Sequence, residues 1–438
     1  MDLGGIELKR MKLGFFMAGY GHHVASWRHP DVAKRGTMDL ESIIENVKTA
    51  ERANFDFVFI SDALFVDKKT HPDLMTRFEP INLMSVISRE TKDIGLIVTA
   101  STTFSQPFTL ARDFATLDHI SNGRAGWNIV TSGVNDTAQN FNGAQNMEHD
   151  LRYDQAAEFV DVAQKLWHSW DKVTFDRDQN KGQFISAEEP EAVDYKGSFF
   201  QVKGPLNIER SPQGHPLMVQ AGSSKKGVEF ASKIAEVIFT AQTDIDAATK
   251  FADNVKEKVH NARGNNQEVV IMPGIFPVIG DTEQEAKDNY EELQELILPE
   301  IGLELLSSYL GDIDLSGYDL NMPFDQINLD SGNGIQSRIE IIQEHARKNN
   351  LTLDDVMKSV AGARGHHIIV GTPEKIADNM EEWFVKGAAD GFNVMPPLIP
   401  TQFELFVEKV VPILQERGLV QKSYNVGTLR EKLGLKVK

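Results

Sequence analysis

Short apolar runs alternate along the chain with longer segments in which apolar residues recur every three or four positions. Such runs are typical of β-strands, and the longer segments are typical of amphipathic helices. The pattern predicts strands at 12–17, 55–62, 94–102, 124–132, 216–224, 237–241, 268–280 and 391–397. It predicts helices at 39–55, 79–92, 107–120, 147–160, 225–235, 245–262, 372–388 and 401–417.

The strand runs FVFI, GLIV and VVIM are apolar without alternation. Parallel strands that are buried on both faces of a sheet have this pattern. Eight strands, each followed by helical sequence, predict an α/β fold of the TIM (β/α)8 barrel type, in which the loops after the strands form the active site. A doubly wound open sheet is the alternative.

Two segments depart from the repeat. Residues 171–215 are charged and rich in turn formers, and DYKGSFFQVKG within them predicts a hairpin. Residues 298–365 contain the apolar helical piece IGLELLSSYL, a Gly/Asp-rich loop and an amphipathic helix. We interpret both as insertions in a single barrel domain that spans 1–438.

The composition excludes several kinds of binding partner and catalytic site. Of 438 residues, 41% are hydrophobic and 25% charged, which is an ordinary globular balance. A net charge of −19 argues against nucleic acid or an anionic membrane as the main partner. The absence of cysteine excludes thiolate catalysis and Cys-ligated metals. Since the N-terminal arm lacks the features of a signal peptide and no apolar run has membrane length, we expect a soluble cytoplasmic protein.

Polar side chains stand at the ends of several predicted strands, where a barrel would direct them into its mouth. Each of these residues can instead serve as a turn or a helix cap. They are Asp62, Thr102, Asn128, Thr131, Ser223 and Ser224.

The segment QAGSSKKG (220–227) combines a strand end, two serines, two lysines and a helix start. Free N–H groups and the helix dipole favour an anion at such a position. The same pattern also suits a serine N-cap without any ligand.

His149 and Tyr153 in MEHDLRYDQAAEFV (147–160) are four residues apart, so they share one face of the predicted helix. That face continues the apolar stripe toward the helix start. The pair is therefore either one wall of a binding site or a polar edge of the core.

Histidines concentrate in GHHVASWRHP (21–30) and ARGHHIIVGTPE (363–374). Their spacing does not match HExxH, and no carboxylates accompany them at helical spacing, so we predict no metal site. We expect these loops to face the substrate, with His22, His23 and His366 as candidate catalytic residues. GxSxG, P-loop and GxGxxG motifs are missing from the sequence.

These motifs together resemble those of the bacterial luciferase-like flavin monooxygenases. The resemblance is strongest to the branch with nitrilotriacetate monooxygenase component A, dibenzothiophene-sulfone monooxygenase and long-chain alkane monooxygenase. The matching segments are WRHP (27–30), FDFVFISD (55–62), 106–132, MEHDLRYDQAAEF (147–159), YKGSFFQVKGPL (195–206), SPQGHPLMVQAGSS (211–224) and VGTPEKIADNM (370–380).

The resemblance implies a barrel that binds FMN at its mouth. Such enzymes receive FMNH2 from a separate NAD(P)H:flavin reductase and oxidise a small substrate with O2 through a C4a-(hydro)peroxyflavin. The basic residues of the histidine loops favour a substrate that contains sulfur or a carboxylate. By this resemblance Asp62, Thr102, Asn128 and Thr131 lie near the flavin ring. His149, Tyr153, Ser223 and Ser224 lie near the ribityl chain and phosphate.

Two other functions remain open on the same barrel. One is a deazaflavin-dependent oxidoreductase that transfers hydride without O2, and the other is a flavin-binding subunit without activity. Members of the family are usually homodimers or homotetramers, and we expect one of these states.

Overall fold

Parallel strands close into a barrel in the computed structural model of the chain. The structure describes residues 10–436 except 33, 68–69, 134, 142, 144–146, 187, 223, 265–267, 312 and 330–335. The strands are β1 (Lys12–Phe16), β2 (Phe57–Ile60), β3 (Gly95–Ser101), β4 (Ala125–Val130), β5 (Tyr195–Lys196), β6 (Gln201–Val202), β7 (Leu217–Ala221), β8 (Val237–Thr240), β9 (Val270–Ile279), β10 (His367–Gly371) and β11 (Gly391–Val394).

The ring runs β1-β2-β3-β4-β7-β8-β9-β11 and returns to β1, with every neighbouring pair parallel. Because β9 pairs with both β8 and β11, the sheet has no free edge within this ring. The barrel prediction is therefore confirmed, and the open sheet is not formed. Strand β10 lies outside the ring and pairs with the second half of β9, and β5 and β6 form the predicted hairpin.

Helices surround the ring, and side-chain caps fix the start of several of them. Asp39, Ser224 and Thr282, for example, each accept a backbone N–H of the first turn. The helices are α1 (Leu40–Arg52), α2 (Pro72–Met75), α3 (Pro80–Glu90), α4 (Pro107–Ile120), α5 (His149–Trp167), α6 (Lys225–Ile234), α7 (Ile245–Arg263), α8 (Glu283–Glu295), α9 (Pro299–Leu310), α10 (Gln336–Asn349), α11 (Leu353–Ala363), α12 (Pro373–Val385), α13 (Thr401–Leu405), α14 (Val411–Glu416) and α15 (Leu429–Lys432).

Successive residues of each barrel strand point alternately outward and inward. On β4 the buried Trp127 packs outward against Phe114 of α4 and Phe159 of α5. The next residue, Asn128, therefore points into the barrel. The interior is otherwise apolar and includes Phe16, Phe57, Phe59, Ile97, Leu217, Val219, Val237, Val270, Met272 and Met395.

Helix α15 closes the amino-terminal end of the barrel. Leu429 packs among the interior residues, and Arg430 of the same helix is fully buried. The Arg430 guanidinium binds both carboxylate oxygens of Glu236, at 2.7 and 3.0 Å. With this end sealed, a ligand must enter at the opposite end, where the strands finish.

The segment 298–365, which we predicted to be an insertion, has an apolar cluster of its own, in which Leu306 and Leu310 of α9 pack with Val356 and Met357 of α11. The assignment of the whole chain to one domain with two insertions stays a prediction. Across the described residues, no helix has the length and apolar character that a bilayer crossing requires.

Candidate functional site

A cleft of about 450 Å³ opens at the carboxyl ends of β1 and β2. The loops after these two strands supply most of its wall, and Arg364, at the end of α11, contributes from the insertion. The lining residues include Phe16, Gly19, His22, Ser61, Asp73, Leu74, Arg77 and Arg364.

Three phenylalanines form an aromatic layer beside this cleft. The ring centroids of Phe16, Phe59 and Phe239 lie 4.9–5.6 Å from one another. The His22 ring tilts over Phe16 at 4.4 Å, and the His366 ring stacks on Phe239 at 5.1 Å. Two of the three predicted catalytic histidines therefore meet at the barrel mouth, although their loops are far apart in sequence.

The contacts of His22 define its tautomer. Its Nε2 lies 2.8 Å from the carbonyl oxygen of Phe16, and its Nδ1 is buried without a partner among the described residues. Burial lowers the pKa of His22 well below its usual value, so the ring is neutral at pH 7. A neutral ring that donates from Nε2 leaves Nδ1 as an acceptor, available to a ligand.

The neighbouring His23 has a different environment. Its Nε2 binds the side-chain oxygen of Gln294 on α8 at 3.2 Å, and its Nδ1 accepts the N–H of Ala25. Burial lowers the pKa of His23 to about 4. These contacts attach the loop after β1 to α8, and His23 does not line the cleft. Arg28 of the same loop donates to the backbone oxygen of Leu296.

The loop after β2 carries functional candidates that the sequence analysis missed. Asp73 accepts the N–H groups of Gly19 and Tyr20 on Oδ1, at 3.0 and 3.1 Å, and so joins the two loops. Arg77 donates to the carbonyl oxygens of Ser61 and Asp73. Burial raises the pKa of Asp73 to about 6. The segment HPDLMTR (71–77) could have pointed to these residues, because it places three ionisable residues in the loop region after a buried strand.

The predicted flavin-ring residues occupy the ends of β2, β3 and β4. Burial raises the pKa of the half-buried Asp62. The Thr102 hydroxyl donates to the carbonyl oxygen of Val130 at 3.2 Å, and Thr131 is half-buried. The Asn128 amide donates to Thr99 at 2.8 Å.

The other side of the Asn128 amide is an acceptor facing the barrel interior. Its Oδ1 is buried and has no partner among the described residues. A buried acceptor of this kind needs a donor, because an unmade hydrogen bond is costly there. The N–H at the polar edge of a flavin ring has the required chemistry.

The starts of α5 and α6 lie side by side. His149 is half exposed, and its ring meets that of Tyr153 edge-on at 5.1 Å. Tyr153 in turn packs against Phe230 of α6 at 5.7 Å. Ser224 caps α6 by accepting the N–H of Gly227 at 3.1 Å. The structure thus brings His149, Tyr153 and Ser224 together, whereas Ser223 lies outside the described residues.

Gly227 lies close to two hydroxyl groups, and its lack of a side chain leaves room between them. A Cβ atom on Gly227 would lie 3.0 Å from both Ser224 Oγ and Tyr153 Oη. Hydroxyl groups and N–H groups at a helix start are the usual contacts of a protein-bound phosphate. This cradle fits the FMN phosphate that the resemblance places here. In the described part of the chain, no three ionisable side chains converge as metal ligands.

The sequence is similar to those of known proteins along nearly its whole length. The model of the family described as "Luciferase-like monooxygenase" matches residues 20–391. N-acetyl-S-(2-succino)cysteine monooxygenase of Bacillus subtilis (strain 168) is 51% identical, over 98% of this chain and 97% of that protein. Nitrilotriacetate monooxygenase component A of Aminobacter aminovorans is 40% identical, over 98% and 97%.

The solved structures include a riboflavin lyase with modified FMN and riboflavin. It is 30% identical, with a TM-score of 0.86, and the match covers 98% of this chain and 97% of that one. The predicted family and branch are therefore confirmed, and a flavin in the structure of a relative supports the predicted class of cofactor.

Proposed function

Because the chain belongs to the luciferase-like monooxygenase family, we propose that it uses reduced FMN and O2 to oxygenate a small organic molecule that carries carboxylate groups. One oxygen atom enters the substrate and the other leaves as water, with two electrons and two protons taken from the reduced flavin. The cradle at Gly227 is the observation that carries this proposal, because its two hydroxyl groups and the helix start suit a phosphate at the position where the resemblance leads us to expect FMN.

The chain's own residues bind the cofactor and protect the chemistry from water. Tyr153, Ser224 and the N–H groups at the start of α6 hold the phosphate, while Asn128 accepts a hydrogen bond from the ring. Bound reduced FMN supplies the activation of O2. The aromatic layer around Phe16 keeps the mouth apolar and excludes water, which limits the uncoupled reduction of O2 to H2O2.

His22 is proposed to position the substrate. His22 lines the cleft, its buried Nδ1 is an acceptor without a partner among the described residues, and its neutral state at pH 7 prevents it from acting as a cation. His366 completes the same wall from the opposite loop. His23 is proposed to support the loop instead, since both of its ring nitrogens are engaged within the protein.

A separate NAD(P)H:flavin reductase is proposed to supply reduced FMN. The name "component A" of the nitrilotriacetate relative supports a system of several components. The names of two relatives support the substrate class, because nitrilotriacetate and N-acetyl-S-(2-succino)cysteine both carry carboxylates, and the second also contains a thioether. The homodimeric or homotetrameric state stays a prediction.

Cofactor titration tests the class of reaction. The purified protein is expected to bind FMNH2 and, with a flavin reductase and NADH, to consume O2 in the presence of a substrate from a panel. The panel contains N-acetyl-S-(2-succino)cysteine, nitrilotriacetate, dibenzothiophene sulfone and an alkane. If the protein bound only reduced deazaflavin tightly, the result would indicate a hydride-transfer enzyme instead of a monooxygenase. Binding of FMNH2 without O2 consumption on any substrate would favour an inactive subunit.

The hydroxyl groups of the cradle are expected to contribute to FMN binding. Ser224→Ala and Tyr153→Phe should each weaken it by about 1 kcal/mol, or roughly fivefold, because each removes a hydrogen bond to a charged phosphate. Fluorescence titration of FMN measures the change. Ser232→Ala and Tyr195→Phe are matched controls, since Ser232 bonds to the Glu229 carbonyl within α6 and Tyr195 lies on the hairpin. Parent-like affinity in both cradle variants would refute the assignment.

A further inference from the structure

A second cavity of about 520 Å³ adjoins the cleft at the barrel mouth. It lies between the loop after β2 and helices α9 and α11 of the insertion. Its lining residues are His71, Leu74, Leu305, Ser308, Tyr309, Val360 and Arg364. Leu74 and Arg364 also line the cleft, so these two side chains stand where the cavities meet.

The backbone at Arg364 is unusual for an arginine. The residue ends α11 in the left-handed conformation, with φ at 54°, and its N–H bonds to the carbonyl oxygen of Val360. Glycine is the residue that favours this position, and other residues pay about 1 kcal/mol or more there. Ending the helix therefore does not explain why position 364 is an arginine. An interaction of the arginine side chain would explain it.

The Arg364 guanidinium has no hydrogen bond or ion pair within the part of the chain that the structure describes, and its Nε is buried. The buried arginines Arg124 and Arg430 differ from the half-buried Arg364, since Arg124 donates to several carbonyl oxygens and Arg430 binds Glu236. A buried donor without a partner destabilises the protein unless a ligand satisfies it. A carboxylate suits a guanidinium best, because two parallel hydrogen bonds can form.

Of the ionisable groups that face Arg364, only Asp73 among the described residues opposes its positive charge. The facing carboxylate, Asp73, is held on Oδ1 by two backbone N–H groups, and the positive charge of Arg364 offsets part of the rise in the Asp73 pKa that burial causes. Burial lowers the pKa of both His22 and His71 well below the usual value, so both rings are neutral at pH 7. Arg77 is also cationic, but it is engaged with the backbone oxygens of Ser61 and Asp73.

Three further buried atoms near Arg364 lack partners among the described residues. They are Nδ1 of His22, Nε2 of His71 and Oδ2 of Asp73. Unsatisfied donors and acceptors on side chains that are at least nine-tenths buried indicate a site built for a polar ligand.

We propose that Arg364 binds a carboxylate of the substrate at the junction of the two cavities and thereby selects anionic substrates. This rests on the proposed function, and it assigns the recognition of the anion to a residue outside the flavin cradle. The substrate then extends from the aromatic layer, where oxygen is transferred, past His22 to the guanidinium. Its remaining arm occupies the second cavity beside α9 and α11.

Calorimetric titration tests this site without turnover. N-acetyl-S-(2-succino)cysteine is titrated into the parent protein and into Arg364→Met, with the fully methyl-esterified compound as the uncharged probe. The parent is expected to bind the acid at least tenfold more tightly than the ester, with a preference that weakens as salt is added. Arg364→Met should remove this preference and leave FMN affinity unchanged, whereas Arg364→Lys should restore part of it.

Arg417→Met is the matched control, because this surface arginine pairs with Asp378 and Glu381 far from the mouth. Equal affinity of the parent for acid and ester would overturn the proposal, even if Arg364→Met failed to fold. An unchanged acid preference in Arg364→Met would also overturn it. If the parent binds the acid selectively but consumes no O2 with reduced FMN, the anion site stands and the proposed function fails.

Discussion

Gly227→Val is expected to weaken FMN binding about 30-fold, equivalent to about 2 kcal/mol. Even a Cβ at this position would lie 3.0 Å from the hydroxyl oxygens of Ser224 and Tyr153, and valine adds two methyl groups to the same space. A phosphate held between these hydroxyls would lose both its room and its hydrogen bonds. Titration of FMN fluorescence measures the loss.

The stability of Gly227→Val without FMN shows whether a loss of FMN affinity comes from the phosphate site or from disruption of α6. Crowding of Ser224 and Tyr153 also destabilises the protein without FMN, and the higher helix propensity of valine offsets part of this loss, so the melting temperature without FMN is measured beside the affinity. Glu229→Val is the control, since Glu229 is exposed on the same helix and should retain FMN affinity. If Gly227→Val bound FMN like the parent, the phosphate would have to lie elsewhere.

Arg430→Ala is expected to lower the free energy of unfolding by about 3–5 kcal/mol. Burial alone would raise the pKa of Glu236, but hydrogen bonds from Arg430 hold it below the usual value, so Glu236 is a carboxylate. Alanine would leave that charge buried without its partner. It would also release the carbonyl oxygens of Gln213 and His215, which the same guanidinium binds.

Chemical denaturation measures this change, and Arg417→Ala provides the comparison. Arg417 also binds two carboxylates, those of Asp378 and Glu381, but it lies at the surface, where water replaces the lost contacts. The expected cost is below about 1 kcal/mol. Similar losses for the two variants would show that closure of the barrel floor does not depend on the buried pair.

The local pattern of apolar and polar residues was sufficient to predict the barrel. Each of the eight ring strands is an apolar run, and the burial of strands on both faces makes such runs conspicuous. Strand β10 was not counted, because HIIVG is short and its pairing with the outer half of β9 depends on the closed ring. Helix α8 was missed because its sequence EQEAKDNYEELQE is almost entirely polar and buries little more than Ala286 and Leu293.

The cradle was partly predictable, since Tyr153 and Ser224 each lie in a recognisable motif. Gly227 was not singled out, because its role depends on how closely two helix starts approach. The cluster of His71, Asp73 and Arg364 was missed for a related reason. Its members come from the loop after β2 and from the end of α11, and only the folded barrel with its insertion brings them together.

Oxygen labelling tests the central claim most directly. The protein, FMN, a flavin reductase and NADH are incubated with N-acetyl-S-(2-succino)cysteine under ¹⁸O₂, and the product is analysed by mass spectrometry. We expect a product that contains one ¹⁸O atom and that requires reduced FMN for its formation. A product without the label, or conversion that proceeds with reduced deazaflavin in the absence of O2, would contradict the assignment as an FMN-dependent monooxygenase.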